Sequence, residues 1–418
     1  MRTLKRLHKI GFSKLTSVEE AWSKLESQIE LIGAEQIDVN NALNRILAED
    51  ITSEFDVPPF DRSAMDGYAI IAEDSFGASP QNPKKVKKVG KIEIGEVADL
   101  RVNKGEAIRI STGAAMPEGA NAVVKIEDTE IENDIITLYN ALVPYKNVAK
   151  HGEDIPANTK VLERGTELKA GHIALLASLG INKIQVRRKP RVSVFSTGDE
   201  LLEPGQPLEK NKIYNSNTPM ISSLVTIYGG KVSRSSTLKD DKDLIKETLI
   251  DSAKDSNIII FTGGTSVGTQ DYLPEVLEEN GTVVTHGIAM RPGSPLLIGY
   301  YKGALVFCLP GTPVAAYVCF VKFAGRALRK MMGCMKIDPR VELIAKMNND
   351  VPVSSMGYLH HLRVKLEKRE NIFYALPVKL KGSGIITSLT ESDGIVEIPP
   401  HQEGLKKEDE VSVMLLPK

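Results

Sequence analysis

Apolar residues change their spacing several times along the chain, and each change marks a different kind of element. Over 17–32 they recur at Val18, Ala21, Trp22, Leu25, Ile29 and Ile32, the spacing of one helix face. Ser17 with Glu20 predicts a capping box at its start. A short strand-turn-helix region is expected to about Asp50. Between Asp66 and Ile136 the pattern becomes short β runs (68–71, 86–94, 107–110 and 122–126) punctuated by Gly and Pro, which predicts a small β domain. The stretch from His151 to Val186 holds one helix over 170–179, ending at Gly180. That piece is too small to stand alone, so it is expected to pack back on the N-terminal helix, with the β domain inserted between.

From Pro190 the pattern alternates. Strands at 191–195, 231–236, 257–261 and 304–309 are separated or followed by helices at 219–228, 244–252 and 314–331. Such alternation predicts a parallel sheet covered by helices on both faces. After about Asp338 short strands return (341–346, 362–367, 372–376, 394–398 and 410–416), a second β domain.

Ligands of open parallel sheets bind where loops converge at the carboxyl ends of the strands. Ser196-Thr197-Gly198-Asp199-Glu200 follows the first strand with hydroxyls and two carboxylates. The 257–261 strand runs into Thr262-Gly263-Gly264-Thr265-Ser266-Val267-Gly268, with Asp271 where a helix should begin. Its glycines let backbone approach a ligand, its hydroxyls donate, and a carboxylate beside an anion cradle suggests a phosphorylated ligand with a divalent cation. Leu309-Pro310-Gly311-Thr312-Pro313 opens the long helix, with Pro313 suited to its first turn. Ordinary turn chemistry explains any one of these loops; three on one sheet edge favour a shared ligand site. Arg291-Pro292-Gly293-Ser294-Pro295 presents a fixed guanidinium matched to an oxyanion. Upstream, the segment from Pro58 to Ala69 packs Asp61, Arg62, Ser63 and Asp66 into a stiff connector, more charge than a plain hinge needs. Ser111-Thr112-Gly113 and His151-Gly152-Glu153-Asp154 carry weaker signals.

The bulk numbers narrow the classes. A chain of 418 residues implies two to four domains. With 53 Lys+Arg against 54 Asp+Glu, no global field recruits nucleic acid. Apolar runs are too short for a membrane helix, and the basic start lacks the apolar core of a secretion signal, so a cytoplasmic protein is expected. Cys308, Cys319 and Cys334 lack metal-site spacing and are expected to be reduced core residues. No Ser/His/Asp or Cys/His constellation points to covalent catalysis.

Asp66-Gly67-Tyr68-Ala69, Ser196-Thr197-Gly198-Asp199-Glu200-Leu201, Gly263-Gly264-Thr265-Ser266-Val267-Gly268 and Leu309-Pro310-Gly311-Thr312-Pro313 resemble, in order and spacing, the molybdopterin molybdenumtransferases of the MoeA/gephyrin E-domain family. The resemblance spans nearly the whole chain. It implies a multi-domain α/β plus β protein: an N-terminal helical segment in two pieces (1–60 with 150–186), an inserted small β domain (61–149), a three-layer molybdopterin-binding α/β domain with a parallel-rich sheet (187–335) and a C-terminal β-barrel (336–418). It also implies a homodimer whose cleft is completed by the partner's connector, and a Mg²⁺-dependent reaction in which adenylylated molybdopterin and molybdate give molybdenum cofactor and AMP. The molybdopterin adenylyltransferase becomes a candidate partner.

By the same resemblance, Asp199, Glu200 and Asp271 are the expected metal-side carboxylates, and Asp66 the acid of the connector. Thr112, Thr197, Gly198, Gly263, Gly264, Thr265, Ser266, Gly268, Pro310, Gly311 and Pro313 are expected to line the substrate site. Arg291, Ser294, Arg363 and Ser383 fall at positions similar to the family's oxyanion site. Two departures stand out. The family's Lys-Pro-Gly-Lys-Pro is Arg291-Pro292-Gly293-Ser294-Pro295 here, and Pro-Gly-Asn-Pro-Val-Ser is Pro310-Gly311-Thr312-Pro313-Val314-Ala315. Fewer cations and a changed donor geometry imply altered oxyanion affinity or selectivity, with tungstate preference as one form. Other readings are a weakened paralogue, a receptor-type scaffold, or a nucleotide hydrolase on the same α/β domain; the last would lack the connector and the C-terminal domain.

Overall fold

The computed structural model of the chain describes residues 15–264, 272–378 and 382–417. Helix α1, Val18–Glu26, begins as expected, with the Ser17 hydroxyl accepting the Glu20 N–H at 3.1 Å. It ends at Glu26, short of Ile32. The Ile32 N–H instead donates to the Met331 carbonyl at 2.8 Å, so the chain after the helix is fastened to another element. The buried face of α1 (Val18, Ala21, Trp22 and Leu25) joins the core of the α/β domain and not that of the segment it precedes. Arg326 stacks 3.9 Å over the Trp22 ring on the same side.

Three antiparallel ladders bring the two N-terminal chain pieces together. Ala34–Asp38 pairs with Lys183–Arg187, Ile51–Thr52 with Lys160–Leu162, and Arg62–Ser63 with Val148–Ala149. Their shared core includes Leu47, Leu168, Leu176 of helix α2 (Ala170–Ser178) and Val186. The helix expected before Asp50 is only a single 3₁₀ turn, Val39–Asn41. Between the pieces the chain forms a six-stranded sheet in which Gly67–Ile70 lies beside both Glu106–Ile110 and Ala122–Lys125. Its alternation buries Tyr68 and Ile70 on one face and Ala69 and Ile108 on the other.

The α/β domain holds a six-stranded sheet in the order Lys231–Leu238, Arg191–Thr197, Ile258–Thr262, Ala304–Leu309, Leu297–Tyr301, Thr282–His286. The first four are parallel, joined through helices α3 (Asn217–Ile227), α4 (Lys242–Ser252) and α5 (Tyr272–Asn280). An antiparallel hairpin completes the edge. Periodicity alone did not predict that hairpin, because Thr282–His286 is half-buried and hydroxyl-rich and breaks the apolar run of a buried strand. The single helix expected over 314–331 is three pieces: α6 (Pro313–Cys319), a π turn (Phe320–Ala324) and α7 (Gly325–Met331). It is buried nearly all round, which fits its apolar composition.

In the C-terminal part, Leu359–Arg369, Ile372–Pro377, Glu342–Met347, Glu410–Leu415 and Gly394–Ile398 follow one another, and the last pairs back onto the first. The ring closes into a barrel with Val364, Ala375, Val396 and Val413 inside. Leu359 and Ile395 point the other way, into the α/β core, and dock the barrel there. Met290–Arg291 adds to the barrel edge, Arg291 opposite His360. Among the described residues no helix is long and apolar enough to cross a membrane.

Candidate active site

The carboxyl ends of the parallel strands open onto a cleft of about 870 Å³. Its floor is a buried hydroxyl network. Ser196 Oγ lies 2.8 Å from Thr262 Oγ1, 2.7 Å from Thr218 Oγ1 and 3.0 Å from Asn215 Oδ1, tying two adjacent strand ends to the start of α3. Asn215 Nδ2 donates to Thr218 Oγ1 and Thr237 Oγ1, at 2.9 and 2.7 Å. Such a saturated network fixes geometry, since each lost partner would strand a buried polar group.

All three predicted loops line this cleft. Gly263 sits at φ +97 with its N–H donating to the Leu309 carbonyl at 3.0 Å; a Cβ there would stand 2.5 Å from the Thr197 carbonyl oxygen. Only glycine allows the two strand ends to meet so closely. Thr197, Gly198, Gly264, Pro310, Gly311 and Pro313 also face the cleft. Pro313 is the first residue of α6, as expected. Asn217 lines it too, its Nδ2 donating to the Gly311 carbonyl at 2.7 Å. Thr265, Ser266, Gly268 and Asp271 lie outside the described residues.

One edge of the cleft is acidic. Glu200 lines it, whereas Asp199 stands behind, its Oδ1 accepting the Asp240 N–H at 3.4 Å. Asp240 itself faces the cleft. Burial, then the charges of Asp199 and Glu200, push its carboxyl above the usual carboxylate range. Sequence reading passed Asp240 by, although it follows the end of a parallel strand just as the three chosen loops do. Asn215 and Asn217 escaped for another reason: they precede a helix rather than follow a strand.

The Arg291 loop also lines the cleft. The Arg291 guanidinium lies 4.3 Å over the Tyr358 ring and donates to Ser354 Oγ at 3.4 Å. Ser294 lines the cleft as expected, with its hydroxyl donating to the Met290 carbonyl at 2.6 Å within its own loop. Arg291, Pro292 and Ser383 also line a second chamber of about 620 Å³ at the barrel, together with Arg363, Ser354, His360 and His361. Burial pulls the Arg363 guanidinium below its usual value, which places a largely desolvated side chain of basic type on the chamber wall. Arg291, Arg363 and Ser383, far apart in sequence but expected at one oxyanion site, therefore line one chamber.

Asp66 and Thr112 do not line either cavity. They lie on the inserted β domain, where Asp66 Oδ1 accepts the Thr112 N–H at 3.0 Å. Met65 and Ile94 are exposed on the same domain and Phe60 just before it, with Ile94 packed against Gly113.

Comparison with known proteins agrees with this architecture. Residues 16–180 match the MoeA N-terminal region (domain I and II), 193–330 a probable molybdopterin binding domain, and 346–416 the MoeA C-terminal region (domain IV). A putative molybdopterin biosynthesis protein of Methanocaldococcus jannaschii is 36% identical, the alignment covering 99% of this chain and 98% of that one. A Staphylococcus epidermidis protein named molybdopterin molybdenumtransferase is 33% identical, covering 96% and 95%. The crystal structure of a molybdopterin biosynthesis MoeA protein from Pyrococcus horikoshii is similar at a TM-score of 0.84 and 35% identity, covering 96% of this chain and 100% of that one. With its strand-end cleft, its closed barrel and full-length relatives of this kind, the chain belongs to the MoeA family of molybdopterin molybdenumtransferases.

Proposed function

We propose that this enzyme of molybdenum cofactor biosynthesis binds adenylylated molybdopterin in the strand-end cleft and an oxyanion, molybdate or tungstate, in the chamber beside it. Water cleaves the anhydride between the pterin phosphate and AMP, and the two dithiolene sulfurs displace oxygen from the oxyanion as water. One observation carries the reading: the two cavities share Arg291, Pro292 and Ser383, so ligands in both would meet across one guanidinium. The cleft offers glycine-framed backbone and acids for a nucleotide and its cation. The chamber offers Arg291 and Arg363 for an oxyanion.

Among the described residues, no three His, Cys, Asp or Glu side chains are grouped as a preformed metal cage. Mg²⁺ does not need one, because it is ordinarily held by one or two carboxylates, water and substrate phosphates. The crowding of Asp240 by Asp199 and Glu200 fits such a cation. Asp240 and Glu200 would hold it, and it would neutralise charge on the phosphates. Asp66 reaches the cleft from a second copy, whose exposed Phe60, Met65 and Ile94 would be covered on docking. Incubation with adenylylated molybdopterin, Mg²⁺ and either oxyanion tests the proposal. The expected result is oxyanion-dependent AMP release, with the preferred anion read from the two titrations; no release with either would overturn it.

A further inference from the structure

The helix that begins at the cleft with Pro313 is broken by the π turn Phe320–Ala324, a feature that often re-aims side chains near functional sites. The turn carries Lys322, only 12% exposed, whose Nζ donates to Glu397 Oε1 at 2.8 Å. Glu397 belongs to the barrel and stands opposite His361 in the strand register. Its Oε1 lies 3.7 Å from His361 Nε2. His361 is 4% exposed, and its ring also faces the main chain of Arg291. Among the described residues neither ring nitrogen has a well-formed hydrogen bond, and burial holds the ring neutral, its pKa lowered to about 3. Two residues along the same strand, on the same face, is Arg363. Just before the π turn, the Cys319 Sγ faces the Gly293 carbonyl at 3.6 Å, beneath the Arg291 loop.

One helix therefore contacts, from behind, both the loop and the barrel that wall the second chamber. Cys319 supports the loop that carries Arg291, and Lys322 reaches through Glu397 to the strand that carries His361 and Arg363. We propose that Lys322, Glu397 and His361 form a positioning chain that registers Arg291 against Arg363 across the chamber and so sets the enzyme's affinity for its oxyanion. These residues do not touch the reacting atoms. The proposal rests on the oxyanion reading of the chamber given above.

A buried ion pair broken on one side leaves an uncompensated charge, so Lys322→Met alone would confuse positioning with stability. The informative variant is Lys322→Met with Glu397→Gln, which removes both charges. Its melting temperature should stay within about 2 °C of the unmodified protein, as neutral replacement of both partners is tolerated. Its half-saturating molybdate concentration in AMP release should rise about tenfold, the effect of a displaced binding group. The rate at saturating molybdate and the affinity for adenylylated molybdopterin should not change, and Lys322→Arg should recover most of the loss. Unchanged molybdate dependence in the double variant would overturn the chain, as would equal losses in molybdate and nucleotide affinity. The oxyanion reading fails separately, if Arg363→Ala leaves molybdate dependence untouched.

Discussion

Gly263→Ala tests whether the cleft depends on two strand ends meeting at backbone distance. The added Cβ would lie 2.5 Å from the Thr197 carbonyl oxygen and 3.0 Å from Thr197 Oγ1, at a residue with φ +97. The first contact falls about 0.9 Å short of ordinary van der Waals separation. Neither side can yield easily. Thr197 ends a strand paired on both edges, and Gly263 is itself bonded to Leu309. An L-residue at such a φ costs about 1–3 kcal/mol, and overpacking a filled site costs about the same again. The expected loss is therefore about 2–6 kcal/mol in the stability of the α/β domain. Trp22 is the chain's single tryptophan and packs in that domain's core, so its fluorescence during urea unfolding reports on the relevant unit. Gly311→Ala is the control. Among the described residues its Cβ would meet Gly263 alone, 3.5 Å from Cα and 3.9 Å from the amide nitrogen, and should cost less than about 1 kcal/mol. Equal midpoints for the two variants would refute the close-approach argument.

Asp240→Asn should separate stability from cation binding. The folded-state pKa of Asp240 is raised, so the stabilisation it offers is present below the unfolded carboxylate value of about 3.9 and is lost as pH rises through the folded value. Without Mg²⁺ at pH 8 the Asn variant should melt higher than the unmodified enzyme, yet gain less from added Mg²⁺; a lower melting point there would contradict the crowding of the three acids. Ser294→Lys places a second cation on the Arg291 loop and should lower the half-saturating molybdate concentration by roughly fivefold, about 1 kcal/mol of screened attraction; no change in that titration would show that the loop does not face the oxyanion. Subunit sharing is tested by mixing Asp66→Asn and Arg363→Ala copies during co-expression. Assayed at molybdate far below the Arg363→Ala requirement, random pairing restores about a quarter of full activity if Asp66 serves the partner's cleft, whereas sites contained within one chain gain nothing over the separate variants.

Much of this architecture was legible in the residues because periodicity follows burial. Three of the parallel strands, Arg191–Thr197, Ile258–Thr262 and Ala304–Leu309, are buried on both faces and read as apolar runs, and the loops at their ends could be read as one site before any contact was known. The half-exposed edge strand Lys231–Leu238 is marked only by its place in the strand-helix alternation. Strands that are half-buried left weaker traces. Thr282–His286 carries two threonines and a histidine, and its place at the sheet edge came only from pairing. The π turn left no trace in apolar spacing, since α6 and α7 are buried on every side. Local bonding was not legible either: half-buried Ser294 lines the cleft, but its hydroxyl is already given to the Met290 carbonyl of its own loop. Asp240 was legible in principle, by the same strand-end rule that found Glu200. His361 and Glu397 were not, because only barrel closure brings them to the α/β domain.

Single-turnover AMP release, titrated with molybdate at saturating adenylylated molybdopterin, tests most directly whether cleft and chamber divide the two substrates. Arg363→Ala should raise the half-saturating molybdate concentration by about tenfold or more, as expected for loss of a buried charge-assisted contact. Its affinity for adenylylated molybdopterin should match that of the unmodified enzyme. An unchanged molybdate titration, or an equal loss of affinity for both substrates, would contradict the division.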